Sequence, residues 1–303
     1  MSDLINRQKN VPFMRIGIFG KKYQKKEQIK KVFDILSQNH VEIFIQKEFY
    51  EYLKPDLDLK DYVAGIIDYN NLNLDMAFSI GGDGTFLRTV SAIREKNIPI
   101  LGINTGRLGF LADVSEKDME ETLSEILKGN YTIEERSQLK LTVNDSSAGI
   151  VDYALNEIAI LKQDSSSMIT IDVNINGERL TSYEADGLLV STPTGSTAYS
   201  LSVGGPIMAP NTSNFIITAI APHSLSARPL VIEDNNILTL HVRSRSSCFL
   251  ISLDGRSKAM PVNGTTLQIK KAETSVLVIK RIGQTFYSTL KNKLKWGTDP
   301  RVD

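Results

Sequence analysis

Apolar residues change their spacing once along this chain. Up to about residue 135 short apolar runs alternate with helical stripes, and beyond it apolar residues fall on every second position. In the first region Ile16-Gly17-Ile18-Phe19 is a short run, and Ile29, Val32, Phe33 and Leu36 then recur at the spacing of one helix face. Val41 to Ile45 reads as the next strand, and the segment from about Glu48 to Asn73 shows no clear period and is expected to be irregular. Met76 to Ile80 is a buried strand that runs into Gly81-Gly82-Asp83-Gly84, with Phe86, Leu87, Val90 and Ile93 marking a helix after it. Ile98 to Ile103 is a further strand. Ser115-Glu116-Lys117-Asp118 has the form of a capping box for a helix that presents Met119, Leu123, Ile126 and Leu127 and stops at Gly129. Strand, crossover and strand in this order predict a Rossmann-like parallel sheet with covering helices.

In the second region Leu139, Leu141 and Val143 alternate, as do Ile169 to Ile175, then Leu238, Leu240 and Val242, then Phe249, Ile251 and Leu253. Period two means strands, and Asn176-Gly177, Asp254-Gly255 and Asn263-Gly264 supply hairpin turns. Phe286, Tyr287, Leu290 and Leu294 return to helical spacing. The expected organisation is an α/β N-terminal domain over 1–135 and a β-rich C-terminal domain over 136–283, with a C-terminal helix in 284–303 that packs back on the first domain.

Composition narrows the function. Lys plus Arg and Asp plus Glu each number 35, so nothing in the net charge favours nucleic acid or an anionic membrane. The single cysteine, Cys248, has no partner for an internal disulfide and reads as a small core residue. His40, His223 and His241 lie far apart, without metal-ligand spacing. The first thirteen residues show no apolar leader, and no run reaches the roughly 18 apolar residues of a membrane span, so a cytoplasmic location is expected.

The glycine loop after the Met76 strand carries the first candidate chemistry. Glycines let backbone amides approach a phosphate beside the positive end of a helix. A carboxylate in that loop repels phosphate, so Asp83 reads either as a general base on an attacking hydroxyl or as a turn-former bonded to its own loop. No G-x-x-x-x-G-K-[ST] or G-x-G-x-x-G motif occurs. Thr192, Thr194, Ser196, Thr197, Tyr199, Ser200 and Ser202 crowd a second candidate loop, rich in hydroxyls, which reads as a polar-ligand pocket or as a surface turn. Asn156 and Glu157 fall in the apolar run Tyr153 to Leu161, where neighbours point to opposite faces, so both can serve one ligand only at a bulge or strand end. Arg88, one helical turn past the glycine loop, reads as a phosphate contact or a solvated charge.

GGDGTFLR at 81–88 resembles the signature of a superfamily that includes NAD kinases, 6-phosphofructokinases and diacylglycerol kinases. NTGRLGF at 104–110, LNEI at 155–158, DGLLVSTPTGSTAYSLSVGGP at 186–206 and PHSLSARPLVI at 222–232, in that order, are similar to the successive motifs of NAD kinases. The resemblance implies phosphoryl transfer from ATP, or another donor, to the 2'-hydroxyl of NAD's adenosine ribose. It implies Asp83 as the base, Gly82 and Gly84 on the triphosphate, and Phe110 beside adenine. Asn156 and Glu157 would hydrogen-bond NAD, and Asp186 with Ala198 would face its nicotinamide half. Thr194, Thr197, Tyr199, Ser200, Leu201 and Ser202 would complete the pocket, with Ala221 at its border. It also implies a divalent cation, Mg²⁺, held mainly by substrate phosphates, and a homo-oligomer, a tetramer. Asp254-Gly255-Arg256 resembles a family segment near the site, yet also reads as a plain hairpin turn. Many relatives carry a basic residue where this chain has Glu184, which puts that position's role in doubt. Two other functions compete: a lipid kinase of the same superfamily, disfavoured by the lack of a membrane-facing segment, and a dinucleotide sensor without turnover, disfavoured by Asp83.

Overall fold

The computed structural model describes residues 14–22, 25–106, 109–144, 150–164 and 167–295. The first thirteen residues, expected to carry no apolar leader, and Arg107 and Leu108 of the second motif lie outside the described residues. The chain forms two compact units, Met1–Thr89 with Ile98–Thr132, and Val90–Asn97 with Ile133–Asp303.

The first unit is built from β1 (Met14–Gly20), α1 (Lys26–Ser37), β2 (Val41–Ile45), α2 (Lys47–Leu53), β3 (Val63–Ile66), β4 (Met76–Ile80), the start of α3 (Asp83–Ile93), β5 (Ile100–Ile103) and α4 (Met119–Leu127). Five parallel strands lie in the order β3-β2-β1-β4-β5. Central β4 is buried along its whole length, as a strand covered on both faces must be. The α1 stripe buries Ile29, Val32, Phe33 and Leu36 as its spacing predicts. The expected irregular segment instead holds α2 and β3. Helix α2 is too short to show a period and buries only Phe49 and Leu53, while β3 is a four-residue edge strand. The expected capping box is not one. The Ser115 hydroxyl donates to the Asp118 carboxylate at 2.6 Å, one turn ahead of α4, and no side chain caps the helix. Gly129 does end it, with φ +87°.

The second unit continues with β6 (Tyr131–Arg136), β7 (Leu139–Asn144), β8 (Ile150–Ala154), β9 (Glu157–Lys162), β10 (Ile169–Ile175), β11 (Glu178–Ala185) and β12 (Gly187–Ser191). After the 3₁₀ turn Thr194–Thr197 come α5 (Tyr199–Ser202), β13 (Asn214–Ile220), β14 (Leu230–Glu233), β15 (Leu238–Arg243), β16 (Cys248–Leu253), β17 (Arg256–Pro261), β18 (Thr266–Lys271), β19 (Val276–Arg281) and α6 (Phe286–Leu294). Two antiparallel six-stranded sheets, β11-β10-β15-β18-β7-β8 and β14-β13-β12-β9-β16-β17, share one core. The alternating apolar sets named above lie in it, from Leu139 to Leu253, except that Ile175 is only partly buried and packs against it. Asn176-Gly177 and Asp254-Gly255 both take positive φ, as a two-residue hairpin with native twist requires, whereas at Asn263-Gly264 only the glycine does.

The expected continuous strand from Tyr153 to Leu161 is broken. Strand β8 closes one edge of the first sheet and β9 lies inside the second, so the chain changes sheets at Leu155–Asn156. Cys248 is half-buried at the start of β16 rather than in the core. Helix α6 does bear a capping box, Thr285 with Ser288, but it buries Thr289 and leaves Tyr287 67% exposed. Gln284 accepts from Arg281 at the end of β19 and donates to Thr289 of α6, so it ties the helix to the strand before it.

Candidate functional site

In the first unit β4 delivers the chain into Gly81, whose amide donates to the Ile103 carbonyl at 2.8 Å, and α3 starts two residues later. Its first amides have no partner within the helix. A Cβ on Gly82 would meet nothing within 4 Å, and one on Gly84 only the Arg88 side chain at 3.9 Å. Packing does not require these glycines, and their surface is open to a close-approaching ligand.

The Asp83 carboxylate is not bonded to its own loop. Its Oδ1 accepts from the amides of Leu111 and Ala112 at 3.0 and 2.9 Å, and its Oδ2 from Phe110 at 2.9 Å. A carboxylate has about four lone-pair positions. These bonds take three and leave one on Oδ2. The 104–112 segment is shaped to give this grip: Asn104 accepts from the Gly106 amide at 2.6 Å, and a Cβ on Gly109 would collide with the Asp83 carboxylate. Phe110 therefore meets Asp83 through its amide. Arg88 is exposed and donates to the Thr85 hydroxyl at 3.0 Å.

In the second unit the sheet-changing corner is held by two residues. Asp254 accepts from the amides of Leu155, Asn156 and Glu157 at 2.8, 2.8 and 3.1 Å, and its own amide donates to the Glu157 carbonyl at 3.2 Å. The Thr192 hydroxyl donates to the Leu155 carbonyl at 2.6 Å and its amide to the Asn156 carbonyl at 2.9 Å. All six backbone groups of 155–157 are thus satisfied. A Cβ on Gly195 would run into the Asn156 carbonyl, so the hydroxyl-rich loop lies directly against the corner.

Asn156 and Glu157 are both buried. Burial, then the charge of Asp254, push the Glu157 carboxyl up to about 7, against a hydrogen bond from the Tyr199 backbone. Glu157 Oε2, Ser191 Oγ, Thr194 Oγ1 and Ser200 Oγ are buried without a protein partner among the described residues. Ser191 lies opposite Glu157 in the β9–β12 ladder, and the other two belong to the hydroxyl-rich loop. Buried polar atoms without a protein partner call for a water, an ion or a ligand, and four of them gather at this corner. Thr197 turns its hydroxyl onto the Thr194 carbonyl at 3.3 Å, and Ala198, Tyr199, Leu201 and Ser202 carry the loop into α5, where Tyr199 is 38% exposed.

Asp186 pairs with Lys162 at 2.6 Å, and its amide donates to the Ile220 carbonyl, next to Ala221. Ala221 holds φ +45°, an uncommon conformation for a residue with a Cβ. Glu184 lies on edge strand β11 opposite Thr170, whose other neighbour is Arg243, so a cation stands close to the charge that departs from the resemblance. The sequence reading had not singled out Lys162, Gly109 or Gly195. It left Asp254 open between a family-like segment near the site and a plain hairpin turn, since Asp-Gly pairs mark hairpins wherever they occur.

The ATP-NAD kinase N-terminal domain model matches residues 16–131, and the ATP-NAD kinase C-terminal domain model matches 155–281. The NAD kinase of Bacteroides fragilis is 51% identical over 291 residues, covering 95% of this chain and 100% of its own. This chain belongs to the ATP-NAD kinase family. The NAD kinase of Porphyromonas gingivalis is 43% identical, over 95% of this chain and 99% of its own. Among solved structures, that of an Archaeoglobus fulgidus NAD kinase in complex with ATP aligns with TM-score 0.74 and 26% identity, over 93% of this chain and 99% of its own. Yeast NADH kinase complexed with NADH aligns with TM-score 0.88 at 24% identity, over 97% of this chain and 91% of its own, and shares the fold. Both halves of the family's pattern therefore fall on the two structural units, with Asp83 in one and the Asn156–Glu157 corner in the other.

Proposed function

We infer that Asp83 is the base of the family's reaction: the chain is a kinase that phosphorylates NAD, moving the γ-phosphoryl group of ATP to the 2'-hydroxyl of the adenosine ribose. The 2'-O–H bond breaks and its proton passes to Asp83 Oδ2. The ribose oxygen bonds to phosphorus as the bond to the β-phosphate oxygen breaks, and NADP and ADP leave. The observation that carries the assignment is the geometry of Asp83. Three amides fix the carboxylate at the head of α3, and one lone pair of Oδ2 stays available. General-base assistance of this kind is worth roughly 10²- to 10⁴-fold.

Gly82 and Gly84, open and at a helix N-terminus, suit the triphosphate, and Arg88 adds a nearby cation. Phe110 lines the adenine side. Asn156, Glu157, Asp186, Thr194, Thr197, Ala198, Tyr199, Ser200, Leu201, Ser202 and Ala221 form the dinucleotide pocket. Among the described residues no group of three or more His, Cys, Asp or Glu is placed to hold a metal ion. Mg²⁺, if carried by phosphate oxygens and water, would supply neutralisation of charge on the transferred group. No helix among the described residues is long and apolar enough to cross a membrane. A cytoplasmic homotetramer is the assembly and location we assign.

The test is NADP formation by purified protein given Mg²⁺, NAD or NADH, and ATP or polyphosphate. NADP or NADPH is the expected product. NAD binding by calorimetry without product under any donor would favour the sensor.

A further inference from the structure

We propose that Asp254 is a positioning residue for this reaction, acting on NAD through Asn156 and Glu157. The proposal rests on the assignment of those two side chains to the NAD pocket.

Adjacent residues of a regular strand point to opposite faces. Two neighbours reach one ligand only if the backbone leaves the strand, and leaving it strands amides and carbonyls that a buried segment must satisfy. Leu155 to Glu157 is such a segment, at the corner where the chain changes sheets. The Asp254 carboxylate takes its three amides, Thr192 takes two of its carbonyls, and the Asp254 amide takes the third.

Asp254 can do this because the Asp254-Gly255 turn holds it at φ +47°, with its side chain folded back over β9. Behind it Arg256 donates to Asp152 at 3.2 Å and to the Tyr153 carbonyl at 2.9 Å, which fastens the end of β8 to the hairpin. Arg256 also opposes the upward push that burial exerts on the Asp254 carboxyl.

The second contribution is electrostatic. Glu157 is buried with Oε2 unpartnered, and the charged side chain acting on it is Asp254; Arg256 and Asp152 stand behind that carboxylate, and α5 offers the Tyr199 backbone. Asp254 therefore sets both where Glu157 points and how readily it ionises.

The test is calorimetric titration with NAD and, separately, ATP, from pH 6 to 8.5, on the full chain and its variants. Asp254→Asn puts an amide nitrogen where an oxygen accepts and removes the charge. Affinity for NAD is expected to fall at least about tenfold, with ATP affinity within about twofold, because a small displacement of positioning groups is costly. The pH midpoint of NAD binding is expected to move to lower pH, because the repelling charge is gone. In a Glu157→Gln background Asp254→Asn should move no midpoint. A merely structural residue would lower stability and leave the midpoint where it was. Wild-type NAD affinity and midpoint in Asp254→Asn would overturn the proposal alone; unchanged NAD affinity in Glu157→Gln would overturn the pocket assignment together with it. Should Asp254→Asn fail to fold, Thr192→Val strips one hydroxyl from the same cradle. It is expected to weaken NAD binding without moving the midpoint, and unaltered NAD affinity there counts against the cradle.

Discussion

Asp83 and Asp254 make the same contact in two unrelated settings. Each carboxylate accepts from three consecutive amides, 110–112 for one and 155–157 for the other. Asp83 does so from the first turn of a helix after a glycine bend, half-exposed, where its charge also suits the helix dipole. Asp254 does so from a hairpin turn, where burial raises its pKa and a second buried carboxyl stands beside it. The grip fixes geometry in both; only surroundings decide whether the gripped carboxylate can also meet a substrate. A half-exposed oxygen with a lone pair to spare can take a proton from a sugar alcohol, whereas a buried one serves through the groups it holds.

The sharpest way to break this contrast is Asp83→Asn. If Asp83 is a base, kcat for NADP formation falls at least about a hundredfold with the fold retained, because the amide cannot accept the proton. If Asp83 only grips the 110–112 segment, as Asp254 grips its corner, the loss appears in substrate affinity and melting temperature while kcat holds. Rapid-quench or coupled assays with a thermal melt on the same sample separate the two.

Gly109→Ala tests the grip while leaving the carboxylate's own chemistry unchanged. Its Cβ would collide with the Asp83 side chain, so either the 109–112 segment or Asp83 must shift. A displacement of this size at a reacting group is expected to cost about ten- to a hundredfold in kcat, and the overpacking about 1–3 kcal/mol of stability by denaturant titration. Wild-type turnover in a folded Gly109→Ala protein would mean that the position of Asp83 does not matter.

How much of this was legible in the sequence follows from range. Strands β7, β10, β15 and β16 and helix α1 were legible because hydrophobic period is a local signal, and the same alternating residues contribute to the shared core. Helix α2 and β3 were not, since seven and four residues are too few for a period to show. The break at Leu155–Asn156 was legible only as a condition: two adjacent side chains serving one ligand demand a strand end. Its cause was not, because Asp254 lies about a hundred residues further along and no local pattern links them. Asp83 shows the same limit. The glycine loop pointed to it, but its partners at 110–112 are contacts the loop sequence does not contain.

The one prediction that leaves turnover aside sharpens the buried side of the comparison. Glu157 titrates near 7 in the folded chain against 4.5 when exposed, and burial and the charge of Asp254 are the causes. Between those values the folded state holds the extra proton, so stability falls as pH rises through the window and the full penalty is present above 7. Glu157→Gln keeps the shape and removes the titration. It is expected to raise stability at pH 8 by on the order of 2–3 kcal/mol relative to wild type, and to leave it little changed near pH 4. Urea titrations of both proteins at the two pH values measure the difference. An equal effect at both would mean that Glu157 is not held against its own charge, and would leave the two gripped aspartates distinguished by exposure alone.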